Sequence, residues 1–407
     1  MFQGDHNVNH HSSLKKKPIN TRLLAIAFTG FCPFLAMYVT QPLLPEFRRV
    51  FHATAAEVSL TVSATTIAVA LSAPFIGLFA DSLGRKRIIC GAIFALSVPM
   101  FLTATASGLR TLIGWRFIQG LFIPGIFTVT LAYISEEWAG AGVGAAMAAY
   151  VSGNVFGSVS GRVIAGVVTA HLGWRWAFII LGCLLLVSGM LTSRWLPASQ
   201  HFVPHKDSLA SIRAIFKHLR NLQLFAIYSV GFNILFVFTA VFTYITFYLA
   251  AAPFHLGSVA LGFMFLVNLF GAVVMPIAGR WIDQFGYRIA VVCANTVSCM
   301  GVILTLWPNL WIVLVGLSLC SAGVFVCNSA ATSYLGIAAG HSRSSAAGLY
   351  VASYYIGGSV GAVLPGFIWT IGGWSACVAL IVGIQLLTTS IALAFWQSKL
   401  SILSRRP

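Results

Sequence analysis

NLQLFAIYSVGFNILFVFTAVFTYITFYLAAAPFHLGSVALGFMFLVNLFGAVVMPIAG, residues 221–279, holds no Asp, Glu, Lys or Arg across 59 positions. One bilayer crossing takes about 20 apolar residues, because a helix rises about 1.5 Å per residue through about 30 Å of hydrocarbon. The stretch is more than twice that length, and Pro253 and Gly257 interrupt its middle. It reads as two membrane helices joined by a short turn. Ile289–Ser342 and Ser344–Ser398 are equally free of charge and read the same way, with turns at Trp307–Asn309 and Ile371–Gly373.

The rest of the chain has the same character. Of 407 residues 58% are hydrophobic and only 8% charged, against about 25% charged in a soluble domain. There is room for a dozen crossings and for no soluble domain of ordinary size. The net charge of +16 sits in short loops between apolar runs, which argues against a nucleic-acid surface. All eight cysteines fall inside apolar runs and none forms a C-x-x-C pair, so neither disulfides nor a metal site is expected. The run Leu23–Pro45 follows Lys15, Lys16 and Lys17 but is too long for a signal-peptide core and reads as a retained span.

Charges and turn residues divide the chain into twelve helices near 22–45, 57–79, 88–107, 110–134, 141–168, 175–195, 222–250, 257–278, 289–306, 310–334, 345–367 and 373–396. The expected fold class is an all-α membrane protein, with tails at 1–21 and 398–407, six-helix bundles at 22–196 and 222–397, and a linker at 197–221. Within the linker Leu209, Ile212, Ile215, Phe216 and Leu219 recur at helical spacing, which predicts an amphipathic interfacial helix. With both termini placed in the cytoplasm, eighteen of the 24 Lys and Arg fall on that side, as the positive-inside rule requires.

The two halves repeat each other. Gly77, Asp81 and Gly84 recur as Gly279, Asp283 and Gly286 at an offset of 202. Gly157 and Gly161 match Gly358 and Gly361, and Gly173-Trp174 matches Gly373-Trp374, at offsets of 200 or 201. Two parallel six-span repeats form a transporter architecture.

Three motifs carry a family resemblance. Gly77 to Arg87 resembles the G-x-x-x-D-R/K-x-G-R-R/K signature between spans two and three of the major facilitator superfamily. Arg116-Phe117-Ile118-Gln119-Gly120 resembles its span-four motif. Gly153-Asn154-Val155-Phe156-Gly157 with Gly161 is similar to the span-five motif of the drug:proton antiporter branch. Ser135-Glu136-Glu137, Ser160-Gly161-Arg162 and Tyr354-Tyr355-Ile356-Gly357 resemble the bacterial YnfM-like inner-membrane subgroup. Ser82 replaces a usual Arg or Lys, Ser158 replaces the antiporter Pro, and Arg162 stands where Gly is usual.

The resemblance implies the major facilitator fold and a cytoplasmic conformational latch. Its members are Gly77, Asp81, Gly84, Arg85, Glu136 and Asp283, with Asp81 facing the start of span eleven near Ser345. Arg116 lies about six residues into span four and Arg162 deep in span five. A charge at such depth costs about 2.5–3.5 kcal/mol, so it faces a cavity or a partner unless it snorkels to the interface. With Gln119 they form the expected solute or proton site. Tyr38, Gln41, Asn154, Asn233, Tyr244, Asn268, Asn328, Tyr354 and Tyr355 are polar candidates for its walls, or else helix–helix contacts. Gly153, Gly157, Gly161, Gly358 and Gly361 read as close-packing positions. No acid lies in mid-span, which leans toward anionic or neutral solutes.

No nucleotide loop, zinc spacing or nucleophile elbow appears, so neither an enzyme nor a cofactor is expected. The expected function is secondary transport of a small organic solute across the bacterial inner membrane, by proton-coupled efflux and as a monomer. A facilitator or an anion importer without obligatory proton coupling is the alternative. A receptor, an intramembrane enzyme or a channel fits the twofold repeat less well.

Overall fold

A computed structural model of the chain describes residues 19–138, 142–199, 221–338 and 343–396. The predicted amphipathic helix of the linker and both tails lie outside the described residues.

Every predicted span is helical. The first comprises α1 (Ile19–Met37), a 3-10 turn (Gln41–Leu43) and α2 (Leu44–Val50). Then follow α3 (Ala55–Leu83), α4 (Arg85–Ala104), α5 (Leu109–Glu137), α6 (Gly142–Leu172) and α7 (Trp174–Trp195). The second half holds α8 (Leu222–Ala250), α9 (Ser258–Met264), α10 (Val267–Phe285), α11 (Tyr287–Leu304) and α12 (Leu310–Ala338). The last helical stretch, Arg343–Phe395, leaves helical geometry at Gly372 and Gly373, and so forms two spans, α13 (343–371) and α14 (374–395). The described residues thus hold twelve spans and no strand.

Local chemistry sets several boundaries. Thr54 and Glu57 form a reciprocal capping box that opens α3. The Asn221 and Asn309 side chains accept from the first N–H groups of α8 and α12. α1 stops at Met37, and Pro42 and Pro45 follow in the first turns of the 3-10 segment and of α2, where no N–H partner is needed.

The repeat is written in the backbone. Gly84 and Gly286 take φ of 86° and 88° between successive helices at one end of the molecule, here the near end. Gly173 and Gly373 take φ of 91° and 57° at the opposite, far end. These left-handed conformations strain any residue with a Cβ.

Glycines also set helix spacing. A Cβ on Gly153, Gly157 or Gly161 of α6 would run into the backbone of Ala27, Phe31 or Leu35 on α1. The second half repeats this with Gly357 and Gly361 of α13 against Phe232 and Phe236 of α8. The backbone counterpart of Gly157 is therefore Gly357, at an offset of 200. Gly358, the position matched by sequence, instead meets the side chain of Leu235. Without a hydrophobic drive between helices in lipid, such close approach supplies the packing energy.

At the far end the two bundles touch. A Cβ on Gly262 of α9 would lie 2.9 Å from the carbonyl oxygen of Arg162 and 3.4 Å from Gly166 Cα, both on α6. A Cβ on Gly366 of α13 would lie 2.7 Å from Ala56 Cα on α3. Deeper along the same seam the Ser63 and Ser359 hydroxyls are 2.7 Å apart. Toward the near end, Gly144, Gly279, Gly336 and Gly348 have nothing within 4 Å of where a side chain would begin.

Candidate functional site

A cavity of about 220 Å³ lies between the bundles at mid-depth. Phe34 and Tyr38 of α1 and Asn154 and Ser158 of α6 wall it on one side, and α8, α10, α12 and α13 on the other. The second side includes Phe238, Asn268, Asn328 and Tyr354. Most of the wall is apolar, and among the described residues no Asp or Glu lines it.

Arg162 is fully buried beside this wall. Its Nε donates to Gln41 Oε1 (2.9 Å), and its Nη1 donates to Ser158 O (3.0 Å) and Ser158 Oγ (2.6 Å). The guanidinium carbon lies 4.8 Å from the ring centre of Tyr38, 5.7 Å from Phe238 and 4.5 Å from Phe265. Aromatic faces attract a cation and compensate part of its lost hydration. Nη2 has no hydrogen-bond partner among the described residues. Asn268, in the wall, accepts from Ser321 Oγ at 3.1 Å, while its own Nδ2 is likewise unspent. Gln41 passes the contact across the bundles, its Nε2 donating to Thr243 Oγ1 at 3.3 Å.

Arg116 is equally buried but chemically opposite. Its Nε donates to Thr61 O (3.2 Å), Nη1 to Ala36 O (2.9 Å) and to Gln119 Oε1, and Nη2 to Met37 O. Ala36 and Met37 end α1, where helix carbonyls lack N–H partners and a cation suits the dipole. Gln119 is fixed in turn by Pro99 O (3.1 Å) and Thr103 Oγ1 (2.9 Å). Neither Arg116 nor Gln119 is part of the cavity wall. Four bonds, three to backbone carbonyls, tie Arg116 of α5 to the end of α1 and to α3.

Of the other anticipated residues, Tyr38, Asn154, Asn268, Asn328 and Tyr354 reach the wall. Oriented by its surroundings, the Asn154 amide donates to Gly30 O (3.1 Å) and Tyr150 O (3.2 Å). Gln41 lies behind the wall, holding Arg162. Asn233 turns away and donates to Asn295 Oδ1 at 3.3 Å, within its own bundle. Tyr244 donates to Ala362 O at 2.7 Å and Tyr355 rests against Phe127.

At the near end Arg85 forms a two-pronged bridge to Glu136, at 2.8 and 3.2 Å. Both belong to the first bundle, so this pair braces α4 against α5 rather than joining the halves. Asp283 lies in α10, close to its C-terminal end. The side chains of Asp81 and Ser345 lie outside the described set.

Ser158, Phe238, Phe265 and Thr243 were not anticipated. The i, i+4 spacing of Ser158 and Arg162 is the one available signal, since such pairs share a helix face. Phe238 and Phe265 sit among too many other phenylalanines to stand out.

The sequence profile described as Major Facilitator Superfamily matches residues 26–282 and 253–402. The chain belongs to the major facilitator superfamily. This superfamily member is 32% identical to the MFS-type transporter YybF of Bacillus subtilis (strain 168), over 93% of each chain. It is also 32% identical to the inner membrane transport protein YnfM of Escherichia coli (strain K12), over 89% of this chain and 88% of YnfM. Among solved structures it is similar to the nucleoside transporter NupG, with TM-score 0.76 and 15% identity over 92% of this chain and 99% of NupG. The human organic anion transporter MFSD10 gives TM-score 0.70 and 19% identity over 92% and 100%. These structural likenesses establish the fold alone. As a superfamily member, the chain is a multi-pass membrane transporter of small solutes and not an enzyme.

Proposed function

We propose that this chain is a secondary active transporter. It moves a small organic solute across the bacterial inner membrane by alternating access, as a monomer, and exports it at the expense of the proton gradient. The observation that carries this reading is a cavity walled by both bundles and closed over at the far end by the Gly166–Gly262 seam. With the positive-inside orientation, both termini and the near end are cytoplasmic, so the cavity is poised to load from inside. The bundles divide at the 197–221 linker and rock about the buried Ser63–Ser359 contact. Asp81, with Arg85, Glu136 and Asp283, is the proposed latch for the opposite state. One proton moved through 100 mV yields about 2.3 kcal/mol, enough to concentrate a solute about fiftyfold.

The second reading, a facilitator or anion importer without obligatory proton coupling, is favoured by one feature: no carboxylate lines the cavity to carry a proton. A solute screen in inverted membrane vesicles separates the two. Uptake that collapses with an uncoupler supports proton-coupled export; uncoupler-insensitive exchange supports the facilitator. Unitary currents far above carrier turnover would overturn both.

A further inference from the structure

We infer that the transported solute is a small organic anion. Its carboxylate, or an anionic group of similar size, accepts hydrogen bonds from Arg162 Nη2 on one bundle and Asn268 Nδ2 on the other. This deepens the transport reading and rests on it.

The argument starts from unspent donors. A buried polar group without a partner costs about 1–3 kcal/mol, and more if charged, so each such group calls for a water, an ion or a ligand to complete it. Two such groups lie beside this cavity, Asn268 in its wall and Arg162 directly behind the wall residues Tyr38, Ser158 and Phe238. Arg162 has committed three N–H groups, one to Gln41 and two to Ser158, and these bonds fix the plane of the guanidinium. What remains is both protons of Nη2. Asn268 has committed its oxygen to Ser321 and kept its amide protons, and it lies three residues beyond Phe265, whose ring covers Arg162.

Both unspent groups are donors, so they call for an acceptor. One carries a full positive charge, and the cavity wall contains no Asp or Glu to neutralise it. An acceptor-only anion satisfies both conditions; an amine or ammonium satisfies neither. The rings of Tyr38 and Phe238 belong to the wall and stand against the guanidinium, so the arriving group displaces or slides between them. The remaining wall is apolar, which suits a hydrocarbon or aromatic body behind the charge. Arg116 is the poorer candidate, because four of its five N–H donors are committed, to Thr61, Ala36, Met37 and Gln119.

Charge-selective thiol labelling tests this without knowing the natural solute. Val155→Cys places a thiol in the wall, on the same helix as Arg162, in a chain whose exposed Cys183 and Cys293 are changed to Ser. The purified protein is treated with two ethyl methanethiosulfonates, one bearing a sulfonate and one a trimethylammonium group. Each rate is divided by that reagent's rate with 2-mercaptoethanol. An uncompensated cation within about 10 Å should favour the sulfonate about tenfold. The preference should vanish in Arg162→Gln and persist in Arg162→Lys. Benzoate should slow the sulfonate reaction more than benzamide does. A ratio near one in the parent chain overturns the inference, even if the Gln variant fails to fold. So does a ratio that Arg162→Gln leaves unchanged, or equal protection by benzamide. Benzoate counterflow in proteoliposomes is measured in parallel. Anion preference without counterflow would remove the transport reading and leave the anion site standing. Transport of a cationic dye that is insensitive to Arg162→Gln would do the reverse.

Discussion

Replacing each buried arginine by methionine should have opposite consequences for stability. Arg116 makes four hydrogen bonds, three of them to backbone carbonyls of α1 and α3. A bond from a charged donor contributes about 1.5–3 kcal/mol, and each carbonyl left dry costs about 1–3 kcal/mol. The contributions overlap, and removing the charge recovers its own burial cost, so the expected loss is that of leaving several buried acceptors dry, about 3–5 kcal/mol. Arg162→Met loses three bonds but also removes a buried cation with an unspent nitrogen. It sets a thioether among Tyr38, Phe238 and Phe265, where sulfur–aromatic contact contributes about 0.3–1.5 kcal/mol. The net change there should stay within about 1 kcal/mol, since apolar replacement of buried ions is often neutral. Thermal unfolding of the detergent-purified proteins reads the difference. At about 2–4 °C per kcal/mol for bundles of this size, Arg116→Met should lower the midpoint by about 6 °C or more, and Arg162→Met by less than about 4 °C. Equal falls, or a larger fall for Arg162→Met, would refute the division into a structural and a functional arginine.

Gly157→Ala should cost about 1–3 kcal/mol, because its Cβ would run into the Phe31 carbonyl, whereas Gly144→Ala should be neutral; midpoints of thermal unfolding compare them. Gly166→Leu should prevent closure of the far end and lock the cavity open there. An impermeant thiol reagent added from the periplasmic face should then reach a cysteine at Val159, and silence at that cysteine would count against the seam as a gate. Glu136→Gln should lose about 1–2 kcal/mol through its bridge to Arg85. A double-mutant cycle with Arg85→Gln should recover that coupling in the stability of the first bundle, and a coupling near zero would argue against the brace.

Much of the architecture was legible because hydrocarbon imposes a coarse rule: long charge-free runs cross, and Gly or Pro with charge marks the turns. Gly84, Gly173, Gly286 and Gly373, read as repeat positions, all adopt the left-handed backbone. The interruption of the first span after Met37 and of the eighth at Phe265–Leu266 was not legible. The second break carries no proline; it tightens through bonds from Phe265 to Gly262 O and from Leu266 to Phe263 O. The arginines were legible as buried charges but not in their roles. Depth in a span says that a charge needs partners; only the fold says whether those partners are carbonyls at the end of α1 or a glutamine, a serine and three aromatic rings beside a cavity. Likewise Asn233 and Asn268 look alike in hydropathy, yet one turns to Asn295 and the other to the wall.

The Gln41 amide stands between two tasks. Its oxygen steadies Arg162, and its nitrogen leans on Thr243 across the divide. If the far side parts as the proposed transport cycle requires, that second foothold goes, leaving the amide to swing and carry the guanidinium out of register. The grip on cargo would then weaken at the face where cargo should leave, so release and opening become one event. A Thr243→Val carrier, lacking this tie, should hold a bound anion with equal strength whichever way it faces.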